Sequence, residues 1–188
     1  MAADKAVVLV GADATERAVR QQRLSDFQII TFATHAVVPG EIDGVSEPAV
    51  ILTPGSESNN PMNDGALTAS EIASLPLDAN VIVLSACNTA GPDNRRSGRG
   101  LSGFADAFFF AGARSIVVTQ WSVQSGPAAW ISQAFVKDVV TQTQVGVAIN
   151  LQSTLKNFIS EARHDYLAHP RFWAAFLVAG DGATRGIA

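Results

Sequence analysis

The single cysteine, Cys87, and the histidines His35, His164 and His169 are the residues of this sequence best suited to nucleophilic and acid–base chemistry. A thiol is mostly protonated near neutrality and reacts weakly in that form; a neighbouring imidazole can take its proton or stabilise the thiolate. Attack on a carbonyl then needs backbone N–H donors for the developing oxyanion. His35 stands at the end of a strand predicted over residues 27–34, and Cys87 lies just past one predicted over 81–85. Loop N–H groups such as those of Ala36 and Cys87 itself are therefore close at hand. No third, acidic member is evident. From spacing alone, Cys87 reads equally well as a small buried hydrophobe. His164 near a helix end and His169 before Pro170 read as structural. A lone cysteine excludes an internal disulfide and metal sites of the paired-cysteine kind, and it suits a reducing cytoplasm.

The elements that must hold these groups alternate between short apolar runs and longer helical stretches, the pattern of a layered α/β domain. Strands are predicted over 6–10, 27–34, 49–52, 81–85, 115–119 and 172–178. Helices are predicted over 15–23, 68–74, 101–111, 125–140 and 147–162. The second opens with a capping box, Thr68 and Glu71; the third stops at Gly112; the fourth starts at Ser125-Gly126-Pro127. Residues 36–47 and 53–65 read as loops. Strand followed by helix, repeated, implies parallel strands, whose ligand crevice lies outside their carboxyl ends. His35, Cys87 and Trp121 each follow a predicted strand and face one crevice if those strands are neighbours. Trp130 and Trp173 read as core. Phe108, Phe109 and Phe110 are consecutive on a helix and cannot all face one side.

At 188 residues, the chain 1–188 is expected to be a single domain, and 47% hydrophobic against 16% charged residues excludes a disordered chain. Low charge with abundant Val, Ile, Ala and Phe suggests a sheet buried on both faces. The net charge of −4 gives no reason to expect nucleic acid or an anionic membrane as partner. Arg95, Arg96 and Arg99, the one tight basic cluster, read as a solvated loop. No apolar run approaches the roughly 20 residues that span a bilayer, and the N-terminus is a poor signal peptide. Gly11 to Thr15 lacks the Gly-Lys-Ser/Thr ending of a phosphate loop, so nucleotide binding is not expected.

Several motifs in order resemble one family. Phe32-Ala33-Thr34-His35 and Leu84-Ser85-Ala86-Cys87-Asn88-Thr89-Ala90 look like the two signatures of the CHAT domain, a caspase-like family often attached to tetratricopeptide repeats and related to caspases and separase. The resemblance continues through Gly65-Ala66-Leu67-Thr68-Ala69-Ser70-Glu71-Ile72, Gly100-Leu101-Ser102-Gly103-Phe104, Ala111-Gly112-Ala113-Arg114-Ser115, Trp121 and His169-Pro170-Arg171-Phe172-Trp173-Ala174. It implies an α/β fold, a three-layer α/β/α sandwich with a mostly parallel sheet. It also implies a bacterial, cytoplasmic cysteine endopeptidase acting on a protein or peptide substrate. His35 is then similar to the family's general base and Cys87 to its nucleophile, with the N–H groups of Ala36 and Cys87 as oxyanion donors. Ser85, Trp121, Ser122 and Gln124 would line the substrate pocket, with no metal or organic cofactor. Three positions depart from the usual pattern: Ala36 where Gly is common, Arg99 where Glu is common, and Ser122-Val123-Gln124-Ser125-Gly126 where an acidic residue usually follows Trp121. The last implies a preference for an uncharged side chain before the scissile bond. The likeness begins part-way into a typical CHAT domain, so upstream strands are expected to be missing, and a regulatory partner or tetratricopeptide-repeat segment to control the enzyme. The alternative is a catalytically inert interaction module on the same fold.

Overall fold

The structure, a computed structural model, describes residues 6–56, 60–85, 102–161 and 165–185. Four strands form the main sheet: β1 (Ile29–Phe32), β5 (Val81–Leu84), β6 (Ser115–Thr119) and β7 (Phe176–Gly180), in the order β1-β5-β6-β7. The first three are parallel; β7 runs antiparallel to β6. A second, antiparallel sheet joins β2 (Ala36–Val37), β3 (Ala49–Ile51) and β4 (Ala66–Thr68) in chain order.

Strand alternation sends neighbouring side chains to opposite faces, and both faces are covered. Phe32, Ile82, Leu84, Ile116 and Val118 pack with Val19 of α1 (Glu16–Arg20), Ile72 of α2 (Ala69–Ala73), and Phe104 and Phe108 of α3 (Ser102–Ala111). The alternate residues Val81, Val83 and Val117 pack against Ile131, Phe135 and Val139 of α4 (Ser125–Thr141). Val147, Leu151 and Phe158 of α5 (Val147–Ser160) complete that face. The layers are therefore helix, sheet, helix, and the mostly parallel α/β/α expectation holds. β5 is buried at every residue, as its unbroken apolar run requires.

Local chemistry sets most of the boundaries. Both halves of the capping box form: Glu71 N–H donates to Thr68 Oγ1 at 3.4 Å, and Thr68 N–H donates to Glu71 Oε2 at 2.9 Å. Gly112 ends α3 at φ 111°, and a Cβ there would lie 2.3 Å from the Leu77 carbonyl oxygen, so no other residue fits.

Four expectations fail, each for a visible reason. Residues 6–10 make no ladder and are not a strand, although Leu9 packs on the core; Val8 and Val10 remain 76% and 66% exposed. The segment 36–47 is not all loop, because Ala36 and Val37 pair with β3. The last strand begins at Phe176 rather than 172. His169 Nδ1 accepts the Arg171 N–H at 3.2 Å, Pro170 opens a 3-10 turn over Pro170–Phe172, and the chain turns again before β7. Helix α4 does start at Ser125, the first residue of its Ser-Gly-Pro opening, as expected. The antiparallel direction of β7 follows from its connection. One helix returns the chain to the start of the sheet, whereas two packed in succession, α4 and α5, leave it at the end where β6 finished. Trp130 is not core either; it stands on the surface of α4, edge-on to Phe158 at 5.3 Å. Trp173 packs against the second core and donates its indole N–H to the Ala168 carbonyl at 2.9 Å. Of the phenylalanine triplet, Phe108 is buried, Phe109 is partly buried and Phe110 is 83% exposed.

Candidate active site

β1, β5 and β6 are adjacent and parallel, so their carboxyl ends open on the same edge of the sheet. β1 and β5 end level, with Phe32 opposite Leu84, and the Ser85 N–H donates to the Phe32 carbonyl at 3.0 Å. His35 follows β1 by three residues, Ser85 follows β5 directly and Trp121 follows β6 by two. The three predicted segments thus share one edge. Cys87 lies outside the described residues, as do Arg95, Arg96, Arg99 and the rest of 86–101, and so does His164.

His35 is held by its backbone, and among the described residues its side chain makes no hydrogen bond. Its carbonyl accepts the Ile51 N–H at 2.8 Å, and the preceding Thr34 hydroxyl donates to the Ile51 carbonyl at 2.6 Å. The imidazole is exposed. Ala36 pairs with Val50, and the neighbouring Ile51-to-His35 bond makes that pair the non-hydrogen-bonded kind. Its N–H consequently points away from β3, toward the outer edge of the small sheet. The backbone there is extended, a conformation open to any residue, so alanine in place of glycine carries no strain.

Trp121 is 38% exposed and donates its indole N–H to the Arg171 carbonyl at 3.0 Å, while Gln120 N–H donates to the Ala175 carbonyl at 2.9 Å. The motif from His169 to Ala174 is thereby explained as the turn on which Trp121 is anchored. Ser122 and Gln124 are exposed on either side of buried Val123, leading into α4. This stretch carries no charge, in keeping with its sequence.

One group of chemically distinctive residues has no counterpart among the expected site residues. Glu16 is fully buried; its Oε1 accepts the Gly65 N–H at 2.8 Å, and its Oε2 lies 3.8 Å from Arg20 Nη2. Arg20 Nη2 donates to Glu71 Oε1 at 2.9 Å. Burial pushes the Glu16 carboxyl above the ordinary glutamate range; the nearby Glu71 and Asp64 add to this, while the Gly65 N–H and Arg20 oppose it. Gly65 sits at φ 95° and its carbonyl accepts from Leu52, next to β3. The triad therefore braces the small sheet that carries His35 and Ala36. The i,i+4 spacing of Glu16 and Arg20 was visible in the sequence, but their burial was not. Among the described residues no group of three or more His, Cys, Asp or Glu could hold a metal ion. No helix is long and apolar enough to cross a membrane, among the same residues.

A family model, the CHAT domain, matches residues 1–181 of the 188. The chain belongs to the CHAT domain family. This is a caspase-like, protease-related family, and the layered fold with its shared strand edge accords with it. No curated protein matches the chain.

Proposed function

We propose that this CHAT domain is a cysteine endopeptidase whose general base is His35 and whose nucleophile is Cys87. The observation that carries the reading is the strand edge itself: an exposed imidazole three residues past β1 and an outward-turned Ala36 N–H, on the sheet edge where β5 ends three residues before Cys87.

In the reaction, His35 takes the Cys87 proton and the thiolate attacks the substrate's peptide carbonyl. The oxyanion of the tetrahedral intermediate receives the N–H groups of Ala36 and Cys87. The C–N bond breaks as the imidazolium gives its proton to the departing amine, leaving a thioester. His35 then takes a proton from water, whose oxygen displaces the thiolate and releases the acid. Ser85, Trp121, Ser122 and Gln124 offer an aromatic face and neutral polar groups, so the residue before the scissile bond is uncharged. A regulatory partner or a tetratricopeptide-repeat segment controls access in the cytoplasm.

A fluorescent peptidyl acyloxymethyl ketone ending in Gln or Leu tests this. Labelling should be lost in Cys87→Ala and fall at least tenfold in His35→Ala, and a probe ending in Asp should react more slowly. Labelling no faster than that of an ordinary exposed thiol, together with no cleavage product lost in Cys87→Ala, would leave the inert interaction module as the reading.

A further inference from the structure

We infer that Glu16 is a positioning residue for the oxyanion limb of the site, its charge carried to the Ala36 N–H by hydrogen bonds in series. The inference rests on the proposed peptidase reading for its effect on rate; its effect on position rests on geometry. Glu16 Oε1 accepts the Gly65 N–H at 2.8 Å, and the Gly65 carbonyl accepts the Leu52 N–H at 2.8 Å. The N–H of the preceding residue, Ile51, donates to the His35 carbonyl at 2.8 Å. That carbonyl belongs to the same planar peptide as the Ala36 N–H, so the bond that fixes one fixes the direction of the other. Gly65 leaves little slack in the line: at φ 95°, a Cβ there would lie 3.0 Å from the Leu52 carbonyl oxygen and from Pro54.

Bracing alone does not call for a charge. A neutral amide at position 16 would accept the same Gly65 N–H without burying a carboxylate. Glu16 Oε2 is buried without a hydrogen-bond partner among the described residues, and so is Arg20 Nε. Arg20 Nη2 stands 3.8 Å from that oxygen but 2.9 Å from Glu71 Oε1, so one guanidinium serves two carboxyl groups unequally. Loss of the Glu16 proton makes its oxygens anionic, which tightens the Gly65 bond and draws Arg20 from Glu71 toward Oε2. Gain of the proton reverses both. Burial moves this exchange from the ordinary glutamate range toward neutral pH, and Glu71 and Asp64 add to it while the Gly65 N–H and Arg20 oppose it. Arg17, the other charge on the helix, is exposed. The turn Pro61–Asn63 and the strands β3 and β4 carry no titratable side chain. The ionised form therefore holds Gly65, Leu52 and Ile51, and with them the Ala36 N–H, more firmly than the neutral one.

The test compares the 188-residue wild type with Glu16→Gln, which keeps the acceptor and cannot ionise. In the wild type, the amide shifts of Gly65, Leu52 and Ile51 should titrate with one midpoint above the ordinary glutamate value. The Ser85 N–H, bonded to Phe32 on the other side of β1, should not follow them. The common midpoint should vanish in the variant. The maximal rate of ketone-probe labelling, wild type over variant, should be close to one at acid pH and rise to about fivefold above that midpoint, with the half-saturating probe concentration unchanged. Taking the ratio cancels the titration of the thiol itself. A ratio that stays flat with pH overturns the inference even where the amides titrate, and leaves the peptidase standing. Labelling absent at every pH counts against the peptidase; the wild-type amide shifts then decide alone, and their failure to share a midpoint overturns the inference whether or not the variant folds.

Discussion

Glu16 shows how a residue remote from the strand edge can bear on it. Its buried carboxyl has a raised pKa in the fold, so between the unfolded and folded values the folded chain holds more protons than the unfolded one. Its contribution to stability is complete at acid pH below the unfolded pKa and is lost as pH rises through the folded one. Glu16→Gln keeps an acceptor for the Gly65 N–H and removes the charge. Melting temperatures measured from acid to neutral pH should show the wild type losing ground to the Gln variant as pH rises; parallel curves would contradict the assignment. Trp121 makes a second case. Trp121→Phe keeps an aromatic face but loses the bond to the Arg171 carbonyl. It should lower stability by about 1 kcal/mol in urea unfolding, and slow probe labelling through a displaced pocket.

At the scale of elements, caps and connections decide the outcome. Thr68→Ala removes the hydroxyl that accepts from Glu71 N–H and donates to Glu71 Oε2, and should cost about 1 kcal/mol in chemical denaturation. Gly112→Ala places a methyl group against the Leu77 carbonyl at φ 111° and should cost about 2–4 kcal/mol, read as a lower unfolding midpoint. Both residues were legible in the sequence because a cap or a helix stop is written locally. The direction of β7 was legible in principle: two helices in succession before a strand return it antiparallel, but a repeated strand–helix pattern masks that count. Residues 6–10 have the composition of a strand, yet pairing requires a neighbour within reach, which no local pattern encodes. Ala36 and Val37 show the reverse, a strand formed by a neighbour where the local residues read as loop.

Across the whole molecule, two cores back to back on one sheet hold the site. Phe108 is fully buried between Phe32 at 5.8 Å and Phe104 at 5.7 Å, so Phe108→Ala should destabilise the fold by about 3–5 kcal/mol in equilibrium unfolding. The layered fold was readable because continuous apolar runs mark a sheet buried on both faces. The shared edge was readable because parallel strands end on one side. The Glu16 brace was not, since it arises where segments distant in sequence meet. The most direct measurement is the alkylation rate of Cys87 by iodoacetamide against pH, in the wild type and in His35→Ala. With one cysteine in the chain, the signal has a single source. A dyad predicts a wild-type inflection below about 8.5, the ordinary thiol value, returning to that value in the variant. Superimposable profiles for the two proteins would contradict the pairing of His35 with Cys87.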